Sequence, residues 1–483
     1  MSCYQPLLSN FQEDKRKSAF TFFNVLLTIF GFFLFFLWFS KYQFKHSDRL
    51  VLEPATEFIP ESAYDPYHEI SPEFTETTTG AAPKNITAAT LFPAKTTTFD
   101  PLESLQKTPK CQKRIVGYYN GWDNRKLSDN QLRKVSQLVF AFAKMSKNGK
   151  VDFENEEKKS LFLEIKRKAK EVNSGVKVMI SIGGLYNSEH FSKTVANFKR
   201  RGALIDSIVS FLQDNQFDGV DIFWKWPGLQ DKANYVFFIR ELRHALQKTR
   251  NPFILSIVTP SVGFELMDGF HLNGILKYVD FINVETDRQA GRPGPYTSTP
   301  SPLFSLIGKY EEYNIDWTMR HLSCVSRKPN QLNMGVPFYG RFWKRVQDAV
   351  EKRDEMWRSV EASAEGHVAC GTVFWRNMEK EGWSKEGSSW HDESKTPYIW
   401  DKENRMFLGF ENEKSLTEKM KYAVEKNLGG LTIWTLEMDD DVESLLEAVT
   451  SSCLKSEVES NGEAEEGSGE EEDKNEVNYK CEN

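Results

Sequence analysis

The sequence predicts an α/β protein. It comprises one (β/α)8 barrel with an inserted α+β subdomain between its seventh and eighth strands, preceded by one transmembrane helix. Three observations carry this expectation. Short apolar runs alternate with amphipathic helical stretches through the middle of the chain. The gap between the seventh and eighth runs is too long for one helix. An uncharged apolar segment stands near the N-terminus.

The candidate strands are 114–119, 137–143, 177–182, 218–224, 253–259, 279–284, 332–338 and 430–435. Branched and aromatic residues dominate them, as in RIVGYY and QLVFAFA. Helical periodicity fills 156–171, 200–214 and 231–248 between them. Eight such units within 111–453 match a closed barrel of the TIM type, with residues 345–412 as the insertion. Periodicity alone fits an open doubly wound sheet as well.

Ala19 to Phe39 carries no charge in 21 residues. At about 1.5 Å per residue a helix of that length spans the ~30 Å hydrocarbon core. A cleaved signal has a shorter apolar run, about 7–15 residues, followed by small residues. This run ends in Leu37, Trp38 and Phe39, so the expectation is an uncleaved anchor with residues 1–18 cytoplasmic. Lys15, Arg16 and Lys17 are balanced by Lys41, Lys45 and Arg49, so the positive-inside rule does not orient it. The sequon at Asn85, a candidate glycosylation site, and five of the six cysteines favour an extracellular or luminal C-terminal side.

Residues 40–110 are rich in Thr, Pro and Glu without an apolar period, as in an extended stalk. Leu454 to Asn483 holds 11 acidic residues against three lysines and reads as an acidic disordered tail. The net charge of −7 therefore belongs to that tail and says nothing about the folded part. A mildly acidic total argues against nucleic acid as a partner. With 40 % hydrophobic and 27 % charged residues, whole-chain disorder and a multi-spanning membrane protein are excluded. Cys111 and Cys453 bracket the folded domain, but pairing is not deducible from sequence. Cys3 reads as a plain cytosolic thiol more readily than as a palmitoylation site. The eight histidines show no zinc-ligand spacing, so neither metal nor cofactor is expected.

The densest chemical signal is Asp218-Gly219-Val220-Asp221-Ile222-Phe223-Trp224-Lys225-Trp226-Pro227. Three further segments follow at barrel spacing. These are Ser181-Ile182-Gly183-Gly184, Gly335-Val336-Pro337-Phe338-Tyr339-Gly340-Arg341, and Gly429-Gly430 through Trp434. Together, over about Arg114 to Ala448, they resemble glycoside hydrolase family 18, the chitinase family. Its strand-four signature runs Asp-Gly-x-Asp-x-Asp-Trp-Glu-x-Pro. The 220–227 string also resembles the catalytically inactive chitinase-like proteins of nematodes.

The resemblance implies that the strand-four Glu protonates the glycosidic oxygen. The Asp two residues earlier orients the substrate's N-acetyl group for substrate-assisted hydrolysis. Here the Glu position is Lys225 and the Asp position is Phe223; of the acidic series Asp218 and Asp221 remain. Alternation along a strand puts Asp221, Phe223 and Lys225 on one face, toward the barrel interior. Lys225 is nearest the C-terminal mouth, where barrel active sites lie. A lysine ammonium, titrating in water near pH 10.4, is poorly matched as a general acid. Phe223 offers no acceptor for an acetamide. The expectation is a pseudo-glycosidase, with Asp218 and Asp221 structural and Asp221 bonded to Ser181 or its neighbours in the barrel core.

On strand six the family often has Met-x-Tyr-Asp, where this chain has Glu285-Thr286-Asp287-Arg288. Glu285 and Asp287 face inward, so Lys225 is expected to pair with one of them. A rival reading makes the two carboxylates a relocated catalytic pair. The resemblance also implies a groove for chitin or another N-acetylglucosamine-containing glycan. It would be lined by Tyr118, Trp122, Tyr339, Arg341 and Trp434. Leu185 stands where the family has a stacking Trp. A role as a protein-interaction scaffold with a vestigial groove is the alternative from a different class.

Overall fold

A computed structural model describes residues 111–261, 265–287, 296–304, 314–351, 354–364 and 366–465. The expected cytoplasmic segment, the anchor at 19–39, the stalk, Asn85 and Cys3 lie outside the described residues. Among the described residues no helix is long and apolar enough to cross a membrane.

In chain order the strands begin with β1 (Arg114–Tyr119), β2 (Gln137–Met145), β3 (Val151–Phe153), β4 (Lys177–Gly183) and β5 (Gly219–Phe223). Next come β6 (Ile254–Pro260), β7 (Phe281–Glu285) and β8 (Leu332–Pro337). The insertion contributes β9 (Tyr339–Lys344), β10 (Val346–Glu351), β11 (Asp354–Val360), β12 (Cys370–Phe374), β13 (Ser389–His391), β14 (Thr396–Asp401) and β15 (Met406–Gly409), and β16 (Gly430–Trp434) follows it. The helices are α1 (Asp129–Lys134), α2 (Glu156–Val172), α3 (Phe191–Val195), α4 (Phe198–Asp214) and α5 (Lys232–Lys248). They continue with α6 (Leu272–Ile275), α7 (Ile315–Ser326), α8 (Glu413–Glu425) and α9 (Ser444–Glu465).

Strands β1, β2, β4, β5, β6, β7, β8 and β16 pair in parallel, and β1 closes the ring by bonding both β2 and β16. This is the (β/α)8 barrel. The helices cover it because their apolar residues recur on one face. In α2, Leu161, Phe162, Ile165 and Ala169 are buried while Glu164 and Arg167 between them are exposed. Side-chain caps start these helices where the chain leaves a loop. Asn155, Asn197, Asn314 and Asn412 each accept a backbone N–H three residues on. Cys111 and Cys453 form a disulfide across a separation of 342 residues, joining the chain on either side of the barrel.

The insertion differs from the expected α+β subdomain. It begins at Tyr339 rather than 345, and its described residues form strands joined by turns and short 3-10 segments. A sheet in the order β12-β9-β15-β14-β13 and the β10–β11 hairpin enclose a separate core around Trp343, Met356, Trp357 and Phe407. The physical reason lies in the segment itself. Its apolar residues are aromatic and branched, and they recur at short intervals without a sustained helical stripe.

The expected tail boundary also shifts, because α9 runs past Cys453 to Glu465. Leu445, Leu446 and Val449 are buried and nucleate the helix. Propagation then adds one hydrogen bond per residue fixed.

Two buried charged features anchor this C-terminal third. Lys419 on α8 and Glu411 are both fully buried, with Nζ 2.8 and 2.7 Å from the two carboxylate oxygens. Ser301 and Ser415 donate to the same carboxylate at 2.5 and 2.6 Å. Desolvation pulls the Lys419 ammonium down, opposed by Glu411. Asp439, before α9, accepts the N–H groups of Leu445 and Leu446. Burial, reinforced by neighbouring Asp440, nonetheless pushes its carboxyl up to about 7.

Lys419→Met should lower stability by about 3–5 kcal/mol in chemical denaturation, because Glu411 loses its cation in a dry site. Adding Glu411→Leu should recover much of that loss. A native carboxyl titrating above its unfolded value holds a proton that the unfolded chain releases. Asp439 therefore lowers stability as pH rises from about 4 to 7, by up to about 1.4 kcal/mol per unit. Asp439→Asn should flatten the stability–pH profile measured across that window.

Candidate functional site

The site grows from the register of the barrel strands. Asp221 on β5 lies between Ser181 on β4 and Ser256 on β6. Both serines donate to it at 2.7 Å, Tyr118 donates at 2.8 Å, and Asn283 completes the set at 3.4 Å. Burial pushes this carboxyl up and the four hydrogen bonds oppose the rise. Asp221 is fully buried and forms the polar centre of the interior.

Tyr118 is 1 % exposed, so its ring is packed within the barrel. Its hydroxyl is committed to Asp221 and also accepts from Asn283 at 3.1 Å. Burial, then the Asp221 charge, pushes that phenol well above its usual range. Asp218 is not part of the interior. It precedes β5 at the end of the barrel opposite the mouth. There it accepts from Lys170 at 2.7 Å and from the Val178 N–H at 2.6 Å, tying α2 to the sheet.

Phe223 is buried in an aromatic cluster. Ring centroids of Phe142, Trp226, Trp434 and Tyr118 lie 5.6, 6.0, 6.3 and 6.5 Å away. Lys225 stands just above it toward the mouth. Its ammonium is paired with Glu285 and lies 5.3 and 4.9 Å from the Phe223 and Trp226 ring centroids. The pair is well buried, with side-chain exposures of 8 and 11 %. Of the two carboxylates offered by the sequence, Lys225 thus meets Glu285. Asp287 receives the Tyr339 hydroxyl, at 3.3 Å on the carboxylate and 3.0 Å on its backbone carbonyl. The end of β5 nearest the mouth thus carries a buried ion pair flanked by two aromatic rings.

Trp434 ends β16 half-buried, with Tyr118 and Phe142 5.4 and 6.0 Å away. Trp122, 38 % exposed, stands edge-on to it at 6.2 Å and stacks parallel to Phe374 at the same separation. Tyr339 and Arg341 sit two residues apart on β9, half-buried and on one face. These residues gather near the C-terminal ends of the barrel strands. Trp434, Phe142 and Trp122 form the aromatic side of this cluster, and Glu285, Asp287, Tyr339 and Arg341 its polar side.

Sequence reasoning missed Phe142, Trp226 and Phe374. Strict alternation turns Phe142 outward with Phe140. The β2–β4 register slips between Ala141 and Ala143, and the bulge aims Phe142 into the mouth. Phe374 belongs to the insertion, and only its folding brings it to Trp122. A separate cleft of about 400 Å³ opens between the β2–β3 hairpin and the 186–190 loop, with Lys144, Lys150 and Tyr186 on its wall. Leu185, where the family has a stacking Trp, is 40 % exposed. Among the described residues no cluster of His, Cys, Asp or Glu is placed to hold a metal ion.

A family model described as glycosyl hydrolases family 18 matches residues 114–439. The oviduct-specific glycoprotein of Mesocricetus auratus is 28 % identical over 68 % of this chain and 50 % of its own length. The endochitinase of Manduca sexta is 25 % identical over 68 % of this chain and 64 % of its own. The chain thus spans about half to two thirds of these curated relatives. Among solved structures, an immunomodulatory active chitinase from Trichuris suis superposes with a TM-score of 0.62 at 22 % identity, covering 71 % of this chain and all of that one. YKL-39, solved in the presence of chitooligosaccharides, also gives 0.62, at 23 % identity, covering 70 % of this chain and 99 % of that one. At such identities these structures establish the shared fold.

Lys225→Met removes the cation beside a buried Glu285. It should lower stability by about 3 kcal/mol in denaturant titration, while Lys225→Met with Glu285→Leu should regain most of it. An unchanged denaturation midpoint in the single variant would show that the ion pair contributes nothing to the fold.

Proposed function

The chain belongs to glycosyl hydrolase family 18, and on that premise we propose that it binds chitin or another N-acetylglucosamine-containing glycan without hydrolysing it. The observation that carries this reading is the caged Lys225–Glu285 pair at the mouth of β5. A general acid must hold a proton within hydrogen-bond reach of the leaving oxygen. A lysine paired with a carboxylate and flanked by Phe223 and Trp226 supplies no such group. The adjacent acetamide-orienting carboxylate is also replaced, by buried Phe223. Both known ingredients of substrate-assisted hydrolysis are therefore missing from strand four.

Binding asks for less than catalysis. Apolar sugar faces stack on aromatic rings, and a few polar groups fix orientation. Trp434 and Trp122 offer the rings, and Tyr339 and Arg341 offer the polar contacts. YKL-39, solved in the presence of chitooligosaccharides, supports glycan binding on this fold. Active chitinases also share the fold, so the chemistry around Lys225, rather than the family, argues for lost hydrolysis. We also infer a single-pass anchor at 19–39 with the barrel extracellular or luminal, supported by the uncharged apolar run and the Asn85 sequon.

The test uses the full-length chain in detergent with chitopentaose. The expected result is saturable binding by calorimetry with no shorter products by mass spectrometry. Trp434→Ala should weaken that binding at least tenfold, about 1.4 kcal/mol. Turnover abolished by Glu285→Gln would overturn this reading in favour of the relocated carboxylate pair. Absence of binding by a folded chain would favour a protein-contact role.

A further inference from the structure

One buried carboxyl at the groove rim has no part in the Asp221 network or the Lys225 pair. Glu437 lies in the 3-10 turn Leu436–Met438 directly after β16 and is fully buried. Its Oε1 accepts the backbone N–H groups of Asn120 at 2.9 Å and Gly121 at 3.1 Å. Those residues open the short loop that presents Trp122.

The loop is clamped from other directions as well. Lys158 on α2 donates to the carbonyls of Asn120 and Gly121 at 2.9 and 2.7 Å. Asn124 donates to Glu157 at 2.9 Å. Arg376 from the insertion donates to the Glu437 carbonyl at 2.9 Å and pairs with Asp123 at 2.8 Å.

This clamp holds the backbone where it would not otherwise rest. Gly121, Asp123 and Asn124 have φ of 68°, 56° and 52°. Only glycine adopts the left-handed region at no steric cost. At Gly121 a Cβ would stand 2.8 Å from the Leu161 side chain. Non-glycine residues in such regions are strained and persist where the surroundings over-determine them. The loop's exposed product is Trp122, edge-on to Trp434 and parallel to Phe374.

We propose that Glu437 is a positioning residue of the groove: through Asn120 and Gly121 it fixes the stance of Trp122 beside Trp434, and so sets the affinity for the sugar that reaches the rim. The affinity clause rests on the glycan-binding reading; the positional clause does not. A site is only as precise as the shell that supports it. Glu437 meets that requirement from the far end of the chain.

The test separates the acceptor from the charge. Glu437→Gln keeps an oxygen for both N–H groups, and Glu437→Met removes it at similar length. In the full-length chain in detergent, oxidative footprinting with peptide mass spectrometry reads Trp122, and hydrogen exchange reads the Asn120 and Gly121 amides. Glu437→Met should raise Trp122 oxidation at least threefold, speed exchange at both amides and weaken chitopentaose about tenfold. Glu437→Gln should restore most of the affinity lost in the Met variant. In a Trp122→Ala background Glu437→Met should cost no further affinity, because it acts through that ring. If the Met variant does not fold, Glu437→Asp, which withdraws the acceptor by one methylene, should give the same changes more weakly. A folded Met variant with wild-type Trp122 oxidation would overturn the proposal. So would an equal loss of affinity with and without Trp122. If the wild-type chain does not bind chitopentaose, the glycan reading falls, while oxidation and exchange still decide what Glu437 holds.

Discussion

Strand β1 is hydrogen-bonded to β2 on one side and to β16 on the other, and this double pairing turns a row of strands into a ring. A closed sheet has an inside, and every functional feature of this chain is a consequence of that inside and its rim. Closure brings Tyr118 of the first strand within 5.4 Å of Trp434 of the last. It brings Glu437 to the amides of Asn120 and Gly121, and Cys111 to Cys453. None of these pairs is near in sequence. Were β1 bonded on one side only, Tyr118 would lose Trp434 and the Trp122 loop its support.

Buried charge in this fold comes with company. Asp221 has four hydrogen-bond donors, Lys225 has Glu285 and two aromatic faces, and Lys419 has Glu411 with two serine hydroxyls. This follows from the cost of desolvating an ion, which good geometry and further hydrogen bonds must offset. The same rule explains the altered strand-four site. Lys225 could not sit in this position alone, and the carboxylate opposite it on β7 makes it tolerable. The outcome is a mouth whose centre is filled by an internal ion pair while its aromatic rim stays accessible.

Much of this was legible in the sequence. The barrel strands announce themselves because branched and aromatic residues cluster in runs of the right length. Alternation along Asp221, Phe223 and Lys225 placed all three toward the interior before any contact was known. Other residues were less readable. Asp218 reads as one of a motif's acids, yet it sits at the strand's opposite end and serves the α2–sheet contact. Phe142 was missed because a bulge breaks the alternation that sequence reasoning assumes. Tyr118 is 1 % exposed with its hydroxyl on Asp221, a packing that no local pattern encodes.

The division has a physical cause. Periodicity, helix caps and the identity of the groups on one strand are local properties, set by neighbours within a few residues, and the sequence by itself determined them. It determined that strand four carries Lys225 and Phe223 where the resembled family has carboxylates, and hence the expectation of lost hydrolysis. Only the tertiary structure decided that Lys225 pairs with Glu285 and that Tyr339 donates to Asp287. It alone decided that the insertion lends Phe374 and Arg376 to the rim, and that Glu437 supports Trp122 across a separation of more than 300 residues. Those choices depend on register, bulges and loop paths, which are settled by packing the whole barrel at once.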